Sequence, residues 1–234
     1  GPADALWRLS TVEIIDLKGQ VAATANIRGT GANPIIEGAL KTKDATLESP
    51  ITGMRISHLA SAARFDGSRL IFSELSGVTK GGGTISGRGS FDFSLGEGIG
   101  IDMTMQADRA EMLDRDDIGA TVTGPIRITS NGVGGTISGE FDVIRSRFTL
   151  GRAAEVAQIP ELQVIELNSR RSDFVPVQRG TDWNLDIKAK ARNRLMVRGM
   201  GLASEWRMDM QIGGSVANPR LIGRADLVRG SYDF

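Results

Sequence analysis

The sequence predicts an all-β protein, an elongated and curved sheet that need not close on itself. Three observations carry this. First, residues 182–192 alternate polar and apolar side chains almost without fault. Trp183, Leu185, Ile187, Ala189 and Ala191 fall on one side of an extended strand, and Asn184, Asp186, Lys188, Lys190 and Arg192 on the other, because successive Cβ atoms of a strand point to opposite faces. The same period returns at Ile99, Ile101, Met103 and Met105, and again at Trp206, Met208, Met210 and Ile212. Second, turn-strand units repeat. Gly29-Thr30-Gly31-Ala32-Asn33-Pro34, leading to Gly38, has the spacing of Gly214-Ser215-Val216-Ala217-Asn218-Pro219, leading to Gly223. Gly82-Gly83-Thr84-Ile85-Ser86-Gly87 followed by Phe91-Asp92-Phe93 is matched by Gly134-Gly135-Thr136-Ile137-Ser138-Gly139 followed by Phe141-Asp142-Val143. Such units predict a sheet that grows by stacking, each touching mainly its neighbours. Third, 30 glycines and only 5% aromatic residues suit many strands joined by tight turns, with few large side chains to plug a closed core.

Taken in order, alternation and apolar content predict strands at 6–15, 20–28, 35–41, 45–48, 52–60, 62–65, 69–76, 83–94 and 98–107. Further strands follow at 120–129, 135–143, 147–150, 162–167, 182–191, 194–198, 204–213 and 219–228. Gly81-Gly82-Gly83, Asn131-Gly132 and Gly213-Gly214 supply turns, because glycine and asparagine accept positive φ cheaply. Three stretches depart from the pattern. Residues 152–158 read as one short helix that Pro160 stops. Residues 168–181, rich in charge and containing Pro176 and Gly180, read as a loop, and 108–117 as a place for a helical turn. No stretch reads as a domain linker, so residues 1–234 are expected to form a single domain, with Gly1-Pro2 as the scar of a removed tag on a fragment of a longer protein.

Composition excludes several functions. Lys+Arg and Asp+Glu both number 28, for a formal net charge of +0, which leaves no electrostatic footprint for nucleic acid or an anionic membrane. Absence of cysteine removes disulfides, zinc-thiolate sites and thiol nucleophiles. It suits an oxidising compartment, although many cytoplasmic proteins share it. No apolar run approaches the roughly 20 residues that span a bilayer, and no signal peptide opens the chain.

A search for chemistry finds little. Asp114, Asp116 and Asp117 could hold a divalent cation, but with Arg115 interleaved they read better as a solvated turn, and they lack the glycine and distal glutamate of a calcium loop. His58 is the lone histidine and reads as a strand residue. The glycine clusters at Gly29, Gly81 and Gly199 lack the third glycine and the following helix of a phosphate loop. No carboxylate pair stands out for glycoside cleavage. No catalytic residue, cofactor or metal is therefore expected.

What remains is the alternating face. By periodicity alone it is an ordinary sandwich or barrel core. Against that, its apolar positions lean toward Met, Leu, Ile and Ala, side chains suited to an adaptable surface, and the repeats predict an elongating sheet. An open face of that size exceeds what soluble monomers expose, and each bulky side chain left wet forgoes roughly 1.5–3 kcal/mol. A ligand or partner is expected to cover it.

Beyond residue 98 the sequence resembles a known family. Asp114-Arg115-Asp116-Asp117-Ile118 running into Gly124-Pro125-Ile126, then Trp183-Asn184-Leu185-Asp186-Ile187, then 195–206 from Leu195-Met196-Val197-Arg198 to Glu205-Trp206, and the segment 212–234 through Asn218-Pro219 to Tyr232, are similar to the C-terminal domain of TamB, a subunit of the bacterial translocation and assembly module. The N-terminal part matches more loosely, as AsmA-like repeats of this bridge-like lipid transfer superfamily do. The resemblance implies a taco-shaped β-sheet with a hydrophobic interior groove, periplasmic in this fragment, with the whole protein anchored in the inner membrane. It implies an Omp85-type, TamA-like outer-membrane barrel as partner, and a part in phospholipid transport and outer-membrane protein assembly.

The expectation is a non-enzymatic lipid conduit whose groove takes phospholipid, or detergent in its place. Its expected lining is Phe91, Phe93, Ile99, Ile101, Met103, Met105, Ile126, Ile128, Trp183, Leu185, Ile187, Leu195, Val197, Trp206, Met208, Met210 and Ile212. The rival is a chaperone or docking scaffold for nascent outer-membrane proteins that pairs its sheet edge with a client strand. A glycan-cleaving β-helix is a distant third.

Overall fold

In a computed structural model that describes residues 16–30, 33–95, 98–151 and 183–233, those residues are all-β apart from one 3-10 turn at Lys80–Gly82. Twelve strands follow in order: β1 Asp16–Lys18, β2 Val21–Thr30, β3 Asn33–Glu48, β4 Arg55–Gly67, β5 Arg69–Thr79, β6 Thr84–Asp92, β7 Ile99–Asp114, β8 Ile118–Gly132, β9 Gly135–Thr149, β10 Trp183–Gly199, β11 Leu202–Gly214 and β12 Pro219–Tyr232. All join one sheet in chain order, with β1 and β2 sharing the same edge of β3. Neighbours are antiparallel except β9 and β10, which run parallel with Trp183 opposite Gly135. The strands expected at 6–15 and 162–167, the helix at 152–158 and the loop at 168–181 lie outside the described residues.

Several strands are longer than the alternation predicts. The segments 35–41 and 45–48 are one strand, β3; so are 52–60 with 62–65, 135–143 with 147–150, and 182–191 with 194–198. The helical turn expected within 108–117 is instead the last part of β7, which stays extended to Asp114. Except at residue 61, where Ser61 stays paired with Thr42 and Leu75, the interruption is a β-bulge. Register shifts fall at Thr42/Ala45 in β3, Ser57/Ala60 in β4, Ala107/Ala110 in β7, Thr121/Val122 in β8, Ala191/Leu195 in β10 and Glu205/Trp206 in β11. An extra residue shifts the polar-apolar phase without ending the ladder.

These shifts form a band across the sheet. Asp44, His58 and Arg109, all in it, take positive φ of 64°, 50° and 47°, the left-handed conformation of a bulge residue. Bulges bend a sheet and increase its twist, so the band acts as a crease. Which way it folds follows from burial. The apolar face is deepest at the crease, where Ala45, Ala107 and Ala110 are 0% exposed and Ala191 1%. Leu59, Ile85, Val122 and Val143 are buried beside them. Small side chains on the inside of a fold let its two limbs approach. The apolar face is therefore concave, and a single apolar cluster runs along it from Leu17 and Ala45 to Ala191 and Met208.

Left-handed φ at a non-glycine residue costs roughly 1–2 kcal/mol, and a β-branched side chain tolerates it worst. Arg109→Val is therefore expected to lower the unfolding free energy by about 1–2 kcal/mol, while Arg109→Gly is neutral or stabilising. Chemical denaturation of the two variants checks this, and equal losses would show that the bulge does not depend on that conformation.

An apolar face along a creased sheet as candidate functional site

The strand period puts all seventeen expected lining residues on one face. Phe91 of β6 sits opposite Ile101 of β7, and Met103 and Met105 opposite Ile128 and Ile126 of β8. On the other side of β9, Leu185 pairs with Ile137, Ile187 with Ile212, and Leu195 with Trp206. Val197 lies opposite Ser204, and Met208 and Met210 face Ala191 and Ala189. Ile99 holds the phase of Ile101, and Phe93, just beyond β6, sets its ring 6.4 Å from that of Phe65. Met103 and Ile126 are buried and the other fifteen half-buried. The face thus has a dry floor along the crease and partly wet limbs.

The expected set omits the floor. Ala45, Leu59, Ile85, Ala107, Ala110, Val122 and Val143 form it, and alanine in a broken alternation gives little signal. It also omits Phe65 and Phe72 of β4 and β5, although Phe72 packs edge-on against Phe91 at 5.1 Å. The repeat Gly-Thr-Ile-Ser-Gly carries Ile85 and Ile137, and both occupy the apolar face.

Polar groups on this face pair with one another. The Thr42 and Ser61 hydroxyls lie 2.9 Å apart, Thr42 also donates to the Leu59 carbonyl at 3.3 Å, and the Trp206 indole Nε1 donates to Ser204 Oγ at 2.9 Å. The opposite face carries charge. Arg127 bridges to Asp102 at 3.1 Å, Lys190 to Asp209 at 3.9 Å, Arg207 to Asp226 at 3.8 Å and Arg229 to Glu205 at 2.6 Å. Cross-strand pairs of opposite sign on a wet face support the register more than they add stability.

Two boundaries of the sheet differ. Strand β6 begins at Thr84, opposite Asp108, so the last residues of β7 have no β6 partner. Other groups cover that edge: Glu111 N donates to Thr79 Oγ1 at 3.1 Å, and Asp114 N donates to the Thr52 carbonyl at 2.9 Å, from the turn between β3 and β4. Gly53 is required there. Its φ is +70°, and a Cβ would stand 2.1 Å from the Asp114 carbonyl oxygen. At the far side of the sheet β12 is exposed along its whole length, and Leu221, Leu227 and Tyr232 are 55–62% exposed.

The acidic cluster becomes an ion-pair knot. Lys80 Nζ lies 2.5 Å from Asp114, Arg147 3.5 Å from the same carboxylate, and Arg115 3.0 Å from Asp117. The Lys80 hydrogen bond, with the nearby charges of Lys80 and Arg147, holds the Asp114 carboxyl below the usual carboxylate range. A depressed native pKa stabilises the fold above the unfolded value of about 3.9 and is lost as pH falls through the native value. Asp114→Asn is therefore expected to flatten the acid loss of thermal stability below about pH 4, by about 1–2 °C at this partly solvated site. Parallel melting curves of both proteins down that range would show it. His58, in its bulge, sets Nδ1 2.6 Å from the Asp44 carboxylate, both exposed. No helix among the described residues is long and apolar enough to cross a membrane, and no group of three or more potential metal-ligating side chains clusters among them.

Comparison with known proteins adds one match. The family model described as the TamB C-terminal domain matches residues 73–234, from within β5 to the end of the chain. No curated protein and no solved structure matches.

Proposed function

The chain belongs to the TamB C-terminal domain family, and from that premise we propose that its concave apolar face is a groove that carries phospholipid acyl chains between membranes in the periplasm. The supporting observation is the continuity of that face: one apolar cluster reaches from β1 to β11 on a single sheet. Acyl chains would lie on the half-buried limbs, against Phe91, Ile101, Trp183 and Leu185, with headgroups left in water along the rims. Burial of a chain there recovers about 25 cal/mol per Å² of apolar surface. Nothing in this reading requires a catalytic group or cofactor. It takes an Omp85-type outer-membrane barrel as the partner at the receiving membrane, and an inner-membrane anchor elsewhere in the whole protein.

The test is solvent extraction of purified protein followed by mass spectrometry, with fluorescent acyl-chain binding in parallel. Bound phospholipid at near-stoichiometric amounts is expected. Protein that carries none and binds no acyl probe would sink the reading.

A second reading rests on β12. Its exposed length, with Arg220, Arg224 and Arg229 on the charged side and Leu221 and Leu227 on the apolar side, is the kind of edge that accepts an extended strand. A nascent outer-membrane protein would be such a client. Photocrosslinkers along β12 that capture a client strand in register, unaffected by charges placed inside the groove, would favour docking over lipid carriage.

A further inference from the structure

The glycine repeats have a role that turns alone leave unexplained. In Gly83-Thr84-Ile85-Ser86-Gly87 and Gly135-Thr136-Ile137-Ser138-Gly139, the glycines fall in phase with Ile85 and Ile137, on the apolar face. Gly223, fixed in spacing by the Asn-Pro repeat, is on the same face, opposite Met210. At all of these but Gly83, whose Cβ would meet the Arg109 backbone, a large side chain enters the space a Cβ would take. At Gly87 that Cβ would meet Met105 Cγ at 2.6 Å beside the Thr104 carbonyl oxygen at 2.7 Å, and at Gly89 the Met103 sulfur at 2.5 Å beside the Asp102 carbonyl oxygen at 2.2 Å. At Gly135 it would meet the Trp183 ring and the Thr129 carbonyl oxygen, both at 2.5 Å, at Gly139 the Phe141 ring at 2.8 Å, and at Gly223 the Met210 sulfur at 2.7 Å beside the Asp209 carbonyl oxygen at 2.2 Å. Each large side chain lies sideways in a notch instead of standing out from the sheet.

We propose that these glycines set the bore of the groove: by letting Met103, Met105, Phe141, Trp183 and Met210 lie flat, they keep its limbs smooth and wide enough for an acyl chain to run over them. This rests on the lipid reading above and names the residues that decide which chains fit. A side chain standing upright from a strand projects into the lumen; one folded over a neighbouring glycine does not. Methionine suits the task, since its unbranched thioether adapts to an irregular notch. Aromatic-over-glycine pairs also stabilise sheets in their own right, so the test needs a readout that stability alone does not move.

That readout is selectivity between a dansyl-labelled stearic acid and a methyl-branched analogue of the same length. Gly87→Ala and Gly139→Ala narrow the bore and are expected to weaken binding of the branched probe about tenfold more than the straight one, since a single methyl group in an apolar site discriminates on that order. Met105→Ala, which adds no clash, shifts the ratio the opposite way and keeps the test open if the glycine variants fail to fold. Gly119→Ala is the control. Gly119 is on the charged face, and the atoms nearest its Cβ would be those of the Arg147 guanidinium, at 3.3 Å, outside the apolar face. An unchanged ratio in all variants, with lowered melting temperatures, would make the glycines purely structural and overturn the proposal while leaving lipid binding intact. Failure of the unaltered protein to bind either probe would overturn the lipid reading itself, and the bore with it.

Discussion

Ala107→Leu is expected to cost about 3 kcal/mol of unfolding free energy, at the upper end of what overpacking does in a close-packed interior. Ala107 is 0% exposed. It sits at the crease, opposite Ile85 on one side and Gly124 on the other, directly before the bulge that carries Arg109. A leucine there adds three carbons where the two limbs of the sheet converge, so the fold must open or the side chain must leave its rotamer. Guanidinium unfolding would measure the loss. Ala203→Leu, on the exposed outer face of β11, is the matched comparison and is expected to change stability by no more than about 0.5 kcal/mol. Equal effects at the two sites would mean that the crease is not tightly closed.

The second large effect concerns cargo. Leu185→Asp is expected to reduce co-purifying phospholipid and acyl-probe binding by at least tenfold while the sheet persists. Leu185 is half-buried between Ile137 and the glycine-lined end of β11, so a carboxylate placed there can hydrate in the free protein but is stranded beneath an acyl chain, a cost of several kcal/mol for an unpaired charge. Asn184→Asp, one residue away on the charged face, introduces the same group without touching the groove. Circular dichroism establishes that both variants keep their strands. Retention of lipid by Leu185→Asp would place the cargo elsewhere.

These expectations draw unevenly on the sequence. The apolar face was legible in the alternation of β7, β10 and β11, because a residue's side of a strand depends only on parity. The crease was legible too, but in disguise: the gaps read at 42–44, 144–146 and 192–193, and the helical turn read at 108–117, are where bulges break the phase. A phase break inside a strand and a loop between two strands leave the same trace in a sequence. Pairing was not legible. Parallel β9 and β10 carry the same alternation they would carry antiparallel, and β1 and β2 share one β3 edge across a bend at Gly19, whose φ is +119°. Parity places the seventeen expected lining residues on one face, whereas the alanines at the crease were passed over because alanine is weakly apolar and lies where parity fails.

The parallel seam between β9 and β10 also bears on the order of folding. Every other adjacent pair from β2 to β12 is a hairpin whose strands meet after a short turn, so each can zip locally at microsecond rates. The seam alone must wait until Trp183 finds Gly135 across the chain between Thr149 and Trp183, and the loop-closure entropy of that search precedes any ladder bond. The strands β2–β9 and β10–β12 should therefore form as two cooperative units and join last along the seam. Amide exchange should then show β10–β12 opening together, at a free energy below that of global unfolding.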